Sequence, residues 1–178
     1  IYGGIFKYDG TSWSVFDKTN TPLTSDWIDD VAVDAGGNVW FALTEINYNV
    51  GGLAKYDGTG FTIYNKTNSP LTSNYIGFVE VVGDKLYVGG EILAVLEAGN
   101  WTVYDHSNSG MVVHSVTEMT AAEDGTIWLY GLTTGSVGYA FQSFDGTDFE
   151  TLQDPPIRHY SPYATRMVTD GQDLWITA

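Results

Sequence analysis

The 178-residue sequence contains no cysteine. Disulfides, thiolate zinc sites and a cysteine nucleophile are therefore excluded. Stretches of about 20 apolar residues are absent as well, so no segment is expected to span a membrane. Neither a heptad nor a long helical period appears, and we therefore do not expect helices to dominate the fold.

Basic residues are scarce, with 7 Lys and Arg against 22 Asp and Glu and a net charge of −15. A nucleic-acid-binding protein needs a basic face that neutralises phosphates. Seven scattered cations cannot form such a face, so nucleic acid is excluded as a partner. Anionic membrane surfaces are disfavoured for the same reason.

Aromatic residues and glycine are abundant instead. Aromatic residues make up 15% of the chain, and 21 residues are Gly. Large flat side chains pack well on pleated strands, and glycine allows the tight turns between them. The composition therefore predicts an all-β protein, with one domain over residues 1–178.

Three sequence landmarks recur along the chain and define a repeat. The first is a Lys-Tyr-Asp-Gly segment at residues 7–10, which returns at 55–58 and in altered form at 96–99 and 143–146. The second begins with an aromatic residue at steps of 48, 40 and 48: Trp13, Phe61, Trp101 and Phe149. The third is an aromatic residue before an apolar run, at steps of 47, 41 and 47: Trp40, Tyr87, Trp128 and Trp175.

Each repeat contains four short strand patterns, and the innermost strands are expected to start near residues 28, 76, 116 and 164. A four-stranded meander cannot bury both of its faces, and repeats of this length are typical of propeller blades. The chain begins with the third and fourth strands of one unit and ends with the first and second strands of another. We therefore expect a β-propeller of four four-stranded blades, one of them closed by N-terminal plus C-terminal strands. A four-blade part of a larger ring is the alternative.

The repeat resembles the two-component regulator propeller repeat. The resemblance rests on the Gly-Gly-Leu-Ala-Lys-Tyr-Asp segment at residues 51–57, on residues 31–40, and on the segment from Met119 to Trp128. It implies a propeller fold of the kind found in bacterial periplasmic sensor domains and in secreted or surface proteins. An extracellular or periplasmic location follows from the resemblance.

A second resemblance supplies an enzyme alternative. The Asp-x-x-Gly-aromatic pattern of the blades is similar to that of the streptogramin B lyase group. That group implies a seven-bladed ring in which a His acts beside a magnesium-bound cluster.

The mouth of the central channel is the expected binding site, because aromatic residues precede three of the four innermost strands. Flat rings stack on apolar ligand faces, while nearby polar groups fix orientation. The candidate ligand-binding set is Trp27, Tyr75, Tyr163, Asp29, Asp30, His114 and Arg166. The alternative is that Trp27 and Tyr75 pack one blade against the next.

No catalytic residue is assigned. His114 and Glu118 form the best acid–base pair, but an extended strand separates them by about 13 Å at about 3.3 Å per residue. No cofactor is expected, although the acidic turns at residues 34–38 and 170–173 could hold a structural calcium ion.

Two similar loops at residues 17–25 and 65–73 are expected to be turns that join an outer strand to the next inner strand. The loop at residues 153–162 is longer and differs from them, so it is the loop expected to carry function if one does. Together these features predict a non-catalytic binding module for a glycan, a peptide or a partner protein, with a homodimer as one assembly. The alternatives are a magnesium-dependent lyase-like enzyme and a structural assembly component.

Overall fold

The structure is a computed structural model that describes residues 3–44, 50–133, 138–152, 166–171 and 173–177. Every regular element in this part of the chain is a β-strand. Two strands form an N-terminal hairpin: β1 (Ile5–Tyr8) and β2 (Trp13–Phe16). Two others form a C-terminal hairpin: β15 (Arg166–Thr169) and β16 (Leu174–Thr177).

Three four-stranded antiparallel sheets lie between the two hairpins. Sheet I consists of β3 (Trp27–Val33), β4 (Val39–Thr44), β5 (Gly52–Tyr56) and β6 (Phe61–Tyr64). Sheet II consists of β7 (Ile76–Val82), β8 (Lys85–Gly90), β9 (Leu93–Glu97) and β10 (Asn100–Tyr104). Sheet III consists of β11 (Val113–Ala121), β12 (Ile127–Thr133), β13 (Tyr139–Phe144) and β14 (Phe149–Thr151).

The all-β prediction is confirmed, and each sheet is a meander whose strands follow one another in chain order. The first strand of each sheet contacts the first strand of the next, from β3 through β7 and β11 to β15. In the described residues the two hairpins form separate two-stranded sheets. Closure of one blade by the terminal strands is therefore not detected and stays a prediction.

The Lys-Tyr-Asp-Gly landmark forms the turn between the third and fourth strands. Asp57 accepts hydrogen bonds from the backbone N–H groups of Thr59 and Gly60, at 2.8 and 2.9 Å. The Tyr56 hydroxyl donates to the carbonyl of Gly58, which has a φ of +94°. In the altered third copy, the two residues with positive φ are Ala98 and Gly99, as in a two-residue hairpin turn.

The tryptophan of the third landmark is hydrogen-bonded to the turn that precedes its strand. The Trp40 indole N–H donates to Asp34 at 2.9 Å, and the Trp175 indole donates to Asp170 at 2.8 Å. Asp34 also accepts hydrogen bonds from Asn38. These two acidic turns, considered above for calcium, thus direct carboxylate oxygens toward tryptophan.

The core is divided among the contacts between successive sheets. One cluster joins sheet I to sheet II and includes Trp40, Leu53 and Val88. A second joins sheet II to sheet III, a third joins the N-terminal hairpin to sheet I, and a fourth joins sheet III to the C-terminal hairpin. A sheet with two apolar faces is therefore buried by its neighbours on both sides.

A glycine at position 51 is required by close approach of three chain segments. Gly51 has a φ of +115°, and a Cβ there would lie 2.6 Å from the Leu43 carbonyl oxygen and 2.7 Å from that of Asn74.

We expect Gly51→Ala to lower the free energy of unfolding by roughly 1–3 kcal/mol. Urea denaturation measures this. Gly60→Ala is the matched control, since a Cβ on Gly60 meets nothing within 4 Å. Equal losses in both variants would contradict the prediction.

Candidate functional site

An open pocket of about 340 Å³ lies where the N-terminal hairpin meets the start of β3. Its lining comprises Gly3, Gly4, Asp26, Trp27, Ile28 and Asp29. The pocket therefore brings together Trp27 and Asp29, two residues of the predicted site. Trp27 is 53% exposed, so its ring is partly accessible to a ligand.

The backbone around this pocket is held by hydrogen bonds. Gly4 N–H donates to the carbonyl of Asp26 at 2.7 Å, and Trp27 N–H donates to the Ser25 hydroxyl at 3.0 Å. The Asp26 carboxylate accepts the backbone N–H of Lys18 at 2.7 Å. The exposed indole thus stands on a fixed backbone, which lowers the entropic cost of ligand binding.

The equivalent position in sheet II has the same backbone bonds and less exposure. The Asn74 side chain accepts the Lys66 N–H at 2.9 Å, and Tyr75 N–H donates to the Ser73 hydroxyl at 3.0 Å. Asn74 is buried and Tyr75 is half-buried. The repeat therefore produces one local geometry, but the aromatic ring is more accessible in sheet I.

The loops that lead to these positions are turns, as predicted. Asp17 accepts the backbone N–H of Thr19 at 2.7 Å, and Asn65 accepts that of Thr67 at 2.9 Å. In each loop a second hydrogen bond runs in the opposite direction: the side chain of Asn20 accepts the backbone N–H of Asp17, and that of Asn68 accepts the backbone N–H of Asn65.

A β-bulge occurs at the same place in the first strand of each sheet. Pairing shifts by one residue between Ile28 and Asp30, between Ile76 and Phe78, and between Val116 and Glu118. Bulges re-aim the side chains that follow them. Here they direct the following residue, Asp30 or Glu118, toward the next strand of the series.

Asp30 and Glu118 both bridge neighbouring first strands. Asp30 accepts the backbone N–H of Val79 on β7 at 2.9 Å, and Glu118 accepts that of Met167 on β15 at 3.4 Å. Arg166 lies 3.7 Å from Glu118, and its side chain is 82% exposed. Asp30 and Arg166, both of the predicted site, thus belong to a row of charged groups on the first strands of successive sheets.

Glu80 on β7 extends this row of charged groups. Burial, and then the nearby Asp30 carboxylate, raise the pKa of Glu80 from 4.5 to about 7. Burial also raises the pKa of Glu118, against the opposing effects of the Met167 N–H and Arg166. Sequence reasoning missed Glu80, although a single carboxylate within the apolar strand 76–82 was a visible signal.

His114 lies in a second bulge of β11, where pairing shifts between Val113 and Ser115. Its Nδ1 atom is buried and has no hydrogen-bond partner among the described residues. His114 therefore occupies a different local setting from Trp27 and Asp29.

Tyr163 of the predicted site lies outside the described residues, and so does the loop at 153–162, the loop expected to carry function if one does. Across the ranges that the structure does describe, no group of three or more His, Asp and Glu side chains is placed to hold a metal ion. The same ranges contain no helix long and apolar enough to cross a membrane.

Comparison with solved structures shows a similar fold in the extracellular domain of BT4673 from B. thetaiotaomicron, a protein assigned to the one-component systems. The TM-score is 0.66 at 13% sequence identity. The match covers 98% of this chain and 24% of the other, so this chain spans about a quarter of that protein's length. No protein-family model matches the sequence. No curated protein matches it either.

The raised pKa of Glu80 predicts a pH-dependent stability. Between about pH 4.5 and 7, Glu80 stays protonated in the folded protein but loses its proton in the unfolded chain. The contribution of Glu80 to the free energy of unfolding therefore falls as pH rises. Above pH 7 Glu80 is ionised in the folded state too, and the full desolvation penalty of its partly buried carboxylate then lowers the stability. We therefore expect Glu80→Gln to stabilise the protein more at pH 8 than at pH 5.

Urea denaturation at both pH values measures this difference. Glu150→Gln, which removes an exposed carboxylate on β14, is the control and should show the same small effect at each pH. A Glu80→Gln effect independent of pH would contradict the assignment.

Proposed function

We propose that this chain is a non-catalytic ligand-binding module of the β-propeller type, belonging to an extracellular or periplasmic sensor. The observation that carries the proposal is the open pocket at the start of β3, which is lined by an exposed tryptophan and two aspartates on a fixed backbone. Loops and strand ends on a rigid repeated scaffold are common places for binding residues.

The propeller arrangement is supported by the order of the sheets. Four first strands lie in series, each pair of successive sheets shares one apolar cluster, and the bulge recurs at equivalent positions. The similar fold of an extracellular domain supports the proposed location. We propose four blades, of which three are the four-stranded sheets and the fourth is represented by the two hairpins.

A neutral glycan is the ligand class that fits the pocket best. The Trp27 ring offers a flat apolar face, and the carboxylates of Asp26 and Asp29 can accept hydrogen bonds from sugar hydroxyls. A net charge of −15 repels anionic ligands. Cationic peptides are the competing class, since they would be attracted by the same carboxylates.

Trp27→Ala is expected to weaken glycan binding at least about tenfold, which corresponds to about 1.4 kcal/mol. The loss follows from removal of the stacking surface. The probe is an array of neutral oligosaccharides, followed by calorimetric titration with the strongest binder. Trp13→Ala is the matched control, because Trp13 is also exposed but lies outside the pocket. Absence of any binder, or equal affinity in both variants, would reject the glycan proposal.

Asp29→Asn separates the two ligand classes. The amide keeps an oxygen that accepts a hydrogen bond but removes the charge. We expect glycan affinity to change by less than about threefold and to be insensitive to salt. If a tetralysine peptide binds instead, and if its affinity falls both with Asp29→Asn and with added salt, the ligand is cationic and the glycan assignment is wrong.

A further inference from the structure

A second cavity, of about 240 Å³, lies where sheets I and II meet, at the far end of β3 from the pocket described above. Its rim is formed by residues of three turns, those that follow β3, β7 and β9. Its apolar lining belongs to the cluster that joins the two sheets: Trp40, Val81, Leu86 and Leu96. The cavity therefore lies between two complete four-stranded sheets.

Strand register identifies the counterparts of Leu96 in the other sheets. Leu96 pairs with Leu86 on one side and with Trp101 on the other. The residue at the same place in sheet I is Tyr56, and in sheet III it is Phe144. The altered third copy of the Lys-Tyr-Asp-Gly landmark is thus displaced by one residue in the register. Sheet II has a leucine where sheets I and III have an aromatic ring.

Phe144 shows what an aromatic side chain does at this place. It is 1% exposed, and its ring centre lies 4.8 Å from that of Tyr104 in the preceding sheet. It also belongs to one apolar cluster with Tyr87, the counterpart of Trp40. A ring from sheet III therefore fills this part of the contact between sheets II and III.

Tyr56 makes the same kind of contact in sheet I. Its ring centre lies 5.6 Å from that of Phe16 on the preceding hairpin and 4.8 Å from that of Phe61. The Lys7 ammonium lies 5.3 Å from the centre of the Tyr56 ring. The position thus accepts a ring, and a lysine of the preceding unit lies beside it.

Leucine leaves this position partly empty in sheet II. Its side chain is smaller than that of phenylalanine or tyrosine, and Leu96 is only half-buried. An apolar cavity of about 150 Å³ is large enough to bind benzene. The space beside Leu96, of about 240 Å³, therefore admits one ring with a small substituent or two fused rings.

The charged groups around the cavity favour a neutral ring. The Asp34 carboxylate already accepts the Trp40 indole N–H at 2.9 Å, and Lys85 is ion-paired with Glu97 at 3.5 Å. The Lys55 ammonium, the counterpart of Lys7, lies 5.4 Å from the centre of the Trp40 ring. A cation would be repelled by this ammonium, whereas a neutral ring can make a cation–π contact with it. The net charge of −15 disfavours an anion.

We propose that the cavity between sheets I and II binds a small neutral aromatic molecule of the phenol or indole class. Its ring takes the place that the rings of Tyr56 and Phe144 fill in the other two sheets, against Trp40, Leu86 and Leu96. Its polar substituent faces the open rim, where water and the backbone of the turns satisfy it. The site is separate from the proposed glycan pocket, because the two lie at opposite ends of β3.

Titration with p-cresol, the free form of the tyrosine side chain, and with indole tests the proposal. We expect calorimetry to show one saturable site per chain. Leu96→Tyr should weaken p-cresol binding at least about tenfold, because the new ring fills the cavity. Leu152→Tyr is the matched control, since Leu152 lies outside the cavity, and it should keep the wild-type affinity. The proposal is wrong if neither probe shows saturable binding up to its solubility limit, or if both variants bind p-cresol equally well.

The indole N–H signal of Trp40 in nuclear magnetic resonance spectra locates the ligand without any change at position 96. A bound aromatic ring shifts the resonances of nearby protons, and Trp40 lines the cavity. We expect p-cresol to shift the Trp40 signal, identified by its loss in Trp40→Phe, and to leave the signal of Trp13 in place. Shifts at Trp13 or Trp27 without one at Trp40 would put the ligand elsewhere and overturn the proposal, whether or not Leu96→Tyr folds.

Discussion

The structure depends on the burial of apolar surface between successive sheets. A meander of four strands leaves apolar side chains on both faces, and no single sheet can cover both. In sheet I one face packs on sheet II through Trp40 and Leu53, and the other packs on the N-terminal hairpin through Phe41 and Ala54. At about 25 cal/mol per Å² of apolar area, this stacking is the main stabilising term for a chain without disulfides. Val31 and Val33 of β3 and Trp175 of β16 are exposed, since none of the described sheets packs on them.

Polar groups then fix how one sheet sits against the next. Asp30 and Glu118 follow equivalent bulges, and each accepts a backbone N–H from the neighbouring first strand. An apolar contact alone tolerates sliding, whereas a carboxylate bonded to one particular N–H does not. The same arrangement gathers carboxylates on the first strands of the sheets, where burial, and then the nearby Asp30 carboxylate, raise the pKa of Glu80.

Much of the fold was predictable because its signals are local in sequence. The Tyr-Asp-Gly turns, the loops at 17–25 and 65–73, and the strands between them depend on residues within a few positions of one another. The bridging roles of Asp30 and Glu118 were not predictable in this way. Each involves a partner 49 residues away and a bulge that no residue type announces.

Part of the candidate site could also be predicted, because the repeat signals are local in sequence. Repeat alignment singled out Trp27 and Asp29, which do share a pocket. It could not distinguish Trp27 from Tyr75, because their exposure depends on what covers them and not on their own sequence. Asp26 was visible only as the neighbour of an aromatic residue, and its role in holding the Lys18 and Gly4 backbones follows from three-dimensional contacts.

The division of the core into one cluster per sheet contact has a consequence for folding. In the part of the chain that the structure describes, each strand pairs only with strands next to it in sequence, so ordering can begin in any sheet and spread to the adjacent one. In the described ranges, sheet I is coupled to sheet III through the clusters that each of them shares with sheet II. A perturbation in sheet I would then reach sheet III by way of sheet II, and it would be felt more strongly in sheet II than in sheet III.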